Sequence, residues 1–204
     1  GVIQELKIAN NVDETPLLYL FNGNLNGASL QSSTLGDVIA NDTTFFSEGT
    51  SSLKMTYGAQ STASVVLDAA IGMNNLRSVV VEFDHIAAFQ ATSSSVMDYG
   101  VLEYSTNNGT SWKSFKPEDY IGAANTTLSK PTTNTGLQAM FFTSTSYQDW
   151  NGIDQASVPS TTPWKTEKFI VPADEFIGVG TLKIRFKVGA DGNTQFPGWL
   201  IDNV

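Results

Sequence analysis

The sequence predicts an all-β fold, a two-sheet antiparallel jelly-roll β-sandwich with one long irregular insertion. About ten short segments alternate apolar and polar residues, and Gly, Asn and Pro separate them. A βαβ fold is disfavoured, because no convincing amphipathic helix of more than two turns is present to connect parallel strands. The 204 residues suffice for one such domain, and a chain of this length can bury a stable core without any cysteine.

Short strand patterns begin after a polar N-terminal stretch. Residues 1–14 are interpreted as a linker or the tail of a preceding domain, and residues 15–204 as the β-sandwich. The strongest strand pattern is 78–89, where β-branched residues occur with a period of two. Residues 100–115 are typical of a hairpin, because an Asn-Gly pair supplies the positive φ of a tight turn. Further strands are predicted at 17–21, 51–57, 63–67, 164–171, 181–188 and 198–204.

The long irregular insertion covers residues 116–163, which lack alternation except around 138–143. This length exceeds an ordinary connection, so we expect functional loops with one or two strands. Sugar rings stack on Trp and Tyr through their C–H faces, while nearby Asp, Asn and Gln side chains bind the hydroxyls. The predicted ligand-binding residues are Tyr147, Trp150, Asp149, Tyr120 and Trp164. The alternative is that each ring covers the edge of the core, which is the preferred interpretation of Trp112 and Trp199.

Composition and charge disfavour several classes of partner. The formal net charge of −9 argues against nucleic acid and anionic membrane surfaces, since both bind through clusters of Lys and Arg. No apolar run of about 18 residues is present, so no membrane span is predicted. Only 15% of residues are charged, and Ser, Thr, Asn and Gly take the polar positions, as suits an extracellular surface module. The lack of cysteine excludes zinc–thiolate sites and thiol nucleophiles.

No catalytic residue is predicted, and the chain is not expected to be an enzyme. Glu82 and Asp84 share one face of a strand and could serve a glycosidase, but a solvated strand face is the preferred interpretation. His85 is the only histidine, so a multi-histidine metal centre is excluded. It falls on the apolar face of the same strand, which indicates a packed, hydrogen-bonded side chain.

Four motifs occur in order along the chain. They are Phe21-Asn22-Gly23 with Leu25 and Gly27, then 48–55 (EGTSSLKM), 102–112 (LEYSTNNGTSW) and 198–204 (GWLIDNV). As a set, these motifs resemble the MAM-like, choice-of-anchor and cleaved-adhesin jelly-roll domains of Bacteroidetes surface proteins, which are related to carbohydrate-binding jelly rolls. The resemblance implies a secreted or cell-surface location and an adhesive or glycan-binding role.

The resemblance also implies a structural calcium site. The matching positions are Asn22, Glu48 and Asp202, and calcium takes six to eight oxygen ligands from carboxylates and carbonyls. Position 22 departs from the pattern, because relatives often have an acid there, and one missing carboxylate weakens such a site. The alternative is that Asp202 forms hydrogen bonds at a terminal strand and binds no ion.

These observations together predict a non-catalytic adhesion or carbohydrate-binding module whose loops within 116–163 contact the ligand. The expected partners are a glycan or a surface protein, together with neighbouring domains of the same polypeptide. A structural spacer is the first alternative, and it predicts that Tyr147 and Trp150 are buried. A glycoside hydrolase is the second, and it predicts a cleft with Glu82 or Asp84 at its floor.

Overall fold

The computed structural model describes residues 20–32, 34–67, 71–72, 78–92, 95–122, 139–150, 152–176 and 180–204. Twelve β-strands occur in these ranges, and every pair of neighbouring strands is antiparallel. They are β1 (Ser29–Gln31), β2 (Val38–Asp42), β3 (Ser52–Thr56), β4 (Ser64–Val66), β5 (Ile71–Gly72), β6 (Val80–Ala88), β7 (Tyr99–Ser105), β8 (Lys113–Ser114), β9 (Phe141–Phe142), β10 (Lys165–Ile170), β11 (Thr181–Gly189) and β12 (Gly198–Asp202).

The strands form two sheets, which confirms the predicted two-sheet antiparallel β-sandwich. Sheet A has seven strands in the order β1-β4-β11-β7-β8, with β5 pairing to β11 and β9 pairing to β7. Sheet B has five strands in the order β10-β6-β12-β3-β2. Among the described residues, no helix has the length and apolar character needed to cross a membrane.

Alternation along the strands builds the core between the sheets. On β11, Leu182, Ile184 and Phe186 are buried, while the intervening residues are only half-buried. On β6, Phe83 and His85 point inward and have no exposed surface. Because side chains alternate across a strand, each sheet contributes one face to the core and presents its other face outward.

The hairpin predicted at 100–115 is confirmed by the pairing of β7 with β8. Its turn places Asn108 at φ 58° and Gly109 at φ 85°, the left-handed region that the Asn-Gly pair was expected to supply. The predicted strand 78–89 corresponds to β6, and 181–188 corresponds to β11.

Other expectations need correction or lie outside the description. Leu20 and Phe21 belong to no strand, whereas β1 and β2 form in a stretch where no strand was predicted. The described residues of the insertion 116–163 include β9 and the 3-10 turns Pro117–Asp119 and Gln148–Trp150. Residues 1–19 and 123–138 are not among the described residues, so the predicted N-terminal linker and much of this insertion lie outside the structure.

Candidate functional site

Two of the predicted ligand-binding aromatics, Tyr147 and Trp150, lie in the core. Their exposed fractions are 4% and 2%. The indole N–H of Trp150 donates to the carbonyl of Pro163 at 2.8 Å, and its ring packs 4.8 Å from that of Tyr147. The expectation of an exposed stacking platform at these two residues is therefore corrected, because neither ring presents a face to a sugar.

Two of the other three predicted residues adjoin this pair, since Tyr120 interacts with Tyr147, and the Lys165 ammonium that binds Asp149 lies 4.9 Å from the centre of the Tyr147 ring. The Asp149 carboxylate accepts a hydrogen bond from the Lys165 ammonium at 2.5 Å. Tyr120 is half-buried and pairs with Phe169 beside β10, while Trp164 is half-buried just before the start of β10. Tyr120 lies beside Phe169, which follows Trp164 by five residues. About 16 Å of strand therefore separates Tyr120 from Trp164. Ligand binding by Asp149, Tyr120 and Trp164 remains a prediction.

A buried hydrogen-bonded network connects three strands of sheet B on its inner face. Glu167 on β10 pairs with Phe83 and lies diagonal to His85 on β6; both Glu167 and His85 are without exposed surface, and Glu167 Oε1 lies 3.0 Å from His85 Nε2. The Tyr147 hydroxyl donates to the same oxygen. The Trp199 indole N–H lies 3.0 Å from His85 Nδ1 and can only donate, so Nδ1 is the acceptor and Nε2 carries the hydrogen that Glu167 accepts.

This network confirms the interpretation of His85 as a packed, hydrogen-bonded residue. Its surroundings are aromatic, with the ring of Phe142 at 4.6 Å and that of Trp150 at 5.3 Å from the imidazole. Burial, together with the charge of Glu167, raises the pKa of Tyr120 at the edge of the network. These contacts tie β6, β10 and β12 to the segment around Tyr147.

The three positions implied as calcium ligands lie around one loop, residues 43–51. Asp202 is buried, and its Oδ2 accepts hydrogen bonds from the backbone N–H groups of Ser47 at 2.9 Å and Glu48 at 3.1 Å. Asn22 Oδ1 accepts from the backbone N–H of Thr50 at 2.8 Å. The Glu48 side chain is exposed. Among the described residues, no group of three or more His, Asp or Glu side chains is placed to hold a metal ion.

The Asp202 and Asn22 oxygens anchor the loop, since each accepts hydrogen bonds from its backbone N–H groups. Calcium binding nevertheless stays a prediction of the family resemblance. Bound calcium at about 100 times its dissociation constant would stabilise the fold by about 2.7 kcal/mol. Melting curves with calcium and with EDTA would therefore separate by several degrees if the site exists, and would superimpose if hydrogen bonds alone hold the loop.

The two acids weighed as a glycosidase pair lie on the outer face of sheet B. Glu82 is exposed and forms an ion pair with Lys168 at 2.6 Å across β6 and β10. Asp84 is half-buried and accepts hydrogen bonds from the hydroxyls of Ser47 at 2.8 Å and Thr166 at 2.5 Å. Cross-strand contacts thus engage both carboxylates.

The outer face of sheet A carries a charged cluster that the sequence analysis missed. Glu103 on β7 has a side chain that is 7% exposed, and it lies beneath cations from β11. Arg185 contacts Glu103 Oε2 through Nε at 2.6 Å and Nη2 at 2.5 Å. Lys187 lies 3.7 Å from Oε1, and the Ser114 hydroxyl donates to the same oxygen at 3.1 Å. The carboxylate therefore holds the guanidinium in a fixed position on the sheet.

Trp112 packs on this cluster from the β7–β8 hairpin. The Arg185 guanidinium carbon lies 4.3 Å from the centre of the Trp112 ring, within cation–π range. Trp112 is half-buried on the outer face, so its interpretation as a core residue is corrected, whereas Trp199 is fully buried as expected. We refer to this surface as the Arg185 face, which comprises Tyr99, Glu103, Trp112, Lys183, Arg185 and Lys187.

Tyr99 adds a second half-buried aromatic to the Arg185 face. Burial, and then the charge of Glu103, raise the pKa of its hydroxyl, which therefore stays protonated and able to donate a hydrogen bond. The signal for this face was present in the sequence. Lys183, Arg185 and Lys187 occupy every second position of one strand, and such alternation places three cations on one side.

A cleft of about 610 Å³ adjoins the Arg185 face at the edge strand β8. It opens between β8 and the turn Ala173–Phe176 that follows β10. Lys113 donates to both oxygens of Glu175 at 2.5 and 2.7 Å, which joins the two sides of the cleft. Ser114, which contacts Glu103, also lines it, and so do Lys116 and Asp119 from the predicted insertion. This volume lies within the range of small-molecule sites.

Comparisons with known proteins give likeness of fold only. No protein-family model and no curated protein matches the chain. Among solved structures, the chain is similar to the Endo-D glycoside hydrolase domain from Streptococcus pneumoniae R6, with 11% identity, a TM-score of 0.44, and coverage of 86% of this chain and 21% of that one.

Two further solved structures contain carbohydrate-binding modules. One comes from work on the promiscuous specificity of carbohydrate-binding modules of the β-sandwich superfamily. It shows 13% identity and a TM-score of 0.48, and the match covers 90% of this chain and 58% of that one. The other is the CBM22-1–GH10 part of endo-1,4-β-D-xylanase 10B from Clostridium thermocellum with xylohexaose, with 9% identity, a TM-score of 0.42, and coverage of 92% and 27%. The chain thus spans between 21% and 58% of the length of these three structures.

Proposed function

We propose that this chain is a non-catalytic carbohydrate-binding module, and that the Arg185 face contacts the glycan. The observation that carries the proposal is the immobilised aromatic on an outer sheet face, Trp112 held against Arg185, which is itself held by Glu103. An adhesive role at the cell surface or outside the cell, as part of a larger exported protein, completes the proposal.

Preorganisation is the physical reason why such a face suits a sugar. A sugar stacks its apolar C–H face on an indole, and the ring has to be ordered before or during binding. Here the ion pair beneath Trp112 orders it in advance, so less side-chain entropy is lost when the ligand arrives. On the same face, the Lys187 ammonium and the Tyr99 hydroxyl supply hydrogen-bond donors for sugar hydroxyls.

Replacing Trp112 by Ala is expected to weaken glycan binding about tenfold, or about 1.4 kcal/mol, because the stacking surface is removed. A glycan array would identify a ligand, and isothermal titration calorimetry would then compare the affinities of the variant and the unchanged protein. The matched control is Trp164→Ala, which removes the half-buried indole beside sheet B and is expected to leave this affinity unchanged.

Two outcomes would contradict the proposal. If Trp164→Ala weakens binding and Trp112→Ala does not, the ligand contacts the region predicted from the sequence, and the Arg185 face is wrong. If the array shows no ligand of any class, carbohydrate binding itself is wrong.

The second candidate function is a structural spacer that presents neighbouring domains. One observation favours it, because Tyr147 and Trp150 are buried as that hypothesis predicted. A spacer needs no ligand, so the array result distinguishes it from a binding module.

A further inference from the structure

We infer that the Arg185 face selects an acidic oligosaccharide, one whose sugars carry carboxylate or sulfate groups. The inference rests on the proposed function, and it adds the class of ligand. Its basis is the concentration of positive charge on one sheet face of a protein that is acidic as a whole.

The charge distribution is the first step. The chain has 20 acidic and 11 basic residues, a formal net charge of −9. On the Arg185 face, three cations from β11 accompany the single carboxylate of Glu103, so the formal charge of this face is 3 − 1 = +2. The described strand residues of this outer face that come from β4, β8 and β9 carry no charge; they are Ser64, Val66, Ser114 and Phe141.

The second step is that the one carboxylate is already engaged and covered. Glu103 is 5% exposed, forms ion pairs with Arg185 and Lys187, and accepts a hydrogen bond from the Ser114 hydroxyl. A ligand on this surface therefore meets cations and not the carboxylate. Arg185 is largely covered, with 16% of its side chain exposed, whereas the Lys187 side chain is 34% exposed. Lys187 is consequently better placed than Arg185 to reach a ligand anion.

The third step concerns the mutual repulsion of the cations. Side chains two residues apart on one strand face are about 6.5–7 Å apart. Lys183, Arg185 and Lys187 therefore repel one another, and Glu103 balances only one of them. An anionic ligand group relieves this repulsion, whereas a neutral sugar does not. Because the face combines this charge with Trp112 and Tyr99, it fits an acidic sugar better than a bare anion.

The experiment begins with a glycan array that contains neutral, uronic-acid, sialylated and sulfated members. For the best acidic ligand, calorimetry compares it with its uncharged form, made by methyl esterification or desulfation. We expect the acidic form to bind at least about tenfold more tightly. We also expect its affinity to fall between about 0.05 and 0.5 M NaCl, since salt screens exposed charges.

Variants then locate the charge effect. Lys187→Gln and Lys183→Gln should each weaken binding of the acidic form by about three- to tenfold and that of the uncharged form by less than about twofold, because glutamine keeps a hydrogen-bond donor and only a ligand anion loses its charged partner. Lys168→Gln, on the outer face of sheet B, is the matched control and should change neither affinity. Circular dichroism of each variant confirms that it is folded.

The outcomes separate the inference from the proposed function. Equal binding of the acidic and uncharged forms, or an array with neutral ligands only, overturns acidic selectivity and leaves carbohydrate binding intact. An array without any ligand overturns both. Binding of poly-glutamate as tightly as the acidic glycan, with no effect of Trp112→Ala, overturns the sugar in favour of an acidic polypeptide.

Discussion

Replacing His85 by Ala is expected to lower the free energy of unfolding by about 3–5 kcal/mol, because it removes a fully buried ring and leaves buried polar groups without a hydrogen-bond partner. The substitution leaves the Glu167 carboxylate in the core without its imidazole partner. It also leaves the Trp199 indole N–H without its acceptor. Glu167 Oε2 has no hydrogen-bond partner within the described part of the chain, so the Tyr147 hydroxyl, which donates to Oε1, is a donor that the carboxylate keeps after the substitution.

The same two strands offer a matched control. Glu82 on β6 forms an ion pair with Lys168 on β10, and both side chains are more than 40% exposed. Glu82→Gln should therefore change the free energy of unfolding by less than about 1 kcal/mol, since water screens the pair. Urea unfolding of both variants checks the prediction. A His85→Ala protein as stable as Glu82→Gln would show that the network contributes little.

The architecture was predictable because alternation is a local signal. On β11, the apolar positions 182, 184, 186 and 188 are separated by polar ones, and this pattern alone indicates a strand with one buried face. The hairpin around Asn108 and Gly109 was equally local. The edge strands β1 and β2 were not predicted, because their burial patterns lack a clear apolar face.

The burial of Tyr147 and Trp150 could not be predicted from their neighbours in the sequence. Both lie in a polar, irregular stretch, which is typical of an exposed loop. Their partners are distant in the chain: the Tyr147 hydroxyl binds Glu167, and the Trp150 ring packs on His85. Sequence periodicity contains no information on such pairings, so ring exposure in the insertion had to come from the structure.

Trp112 was predicted to lie in the core but lies on the outer face of sheet A. It follows a hairpin turn, and a turn interrupts the alternation of residues. The sequence pattern therefore does not indicate on which face of the sheet Trp112 lies. The register of β8 against β7 decides it, since Lys113 pairs with Tyr104 and Ser114 with Glu103. Trp112 consequently lies on the outer side with Glu103. A predicted core residue thus became the centre of the candidate site.

The three positions that the family resemblance implies as calcium ligands do come together in the structure. Asp202 contacts the backbone of Ser47 and Glu48, and Asn22 contacts Thr50, so all three implied positions do meet one loop. Whether an oxygen faces an N–H group or a cation depends on the direction of the loop backbone. The residue types at these positions do not determine that direction.

Gly198→Ala is the second change with a large expected effect, about 2–6 kcal/mol of lost unfolding free energy. Gly198 opens β12 with φ +100°, a conformation that residues with a Cβ rarely adopt. An added Cβ would also overlap the backbone carbonyl oxygen of Met55 on the neighbouring strand β3. Both effects act on the central strand of sheet B, which carries Trp199 and Asp202.

Gly72→Ala provides the comparison for this change. A Cβ at position 72 meets no atom of the described residues within 4 Å, and the residue is exposed on β5. Its expected effect on the free energy of unfolding is within about 0.5 kcal/mol. If both variants unfold at the same denaturant concentration, β12 can shift to accommodate a side chain. In that case the strand would be less constrained than its contacts with β3 and β6 imply, and the placement of His85 against Trp199 would not require a glycine at the start of this strand.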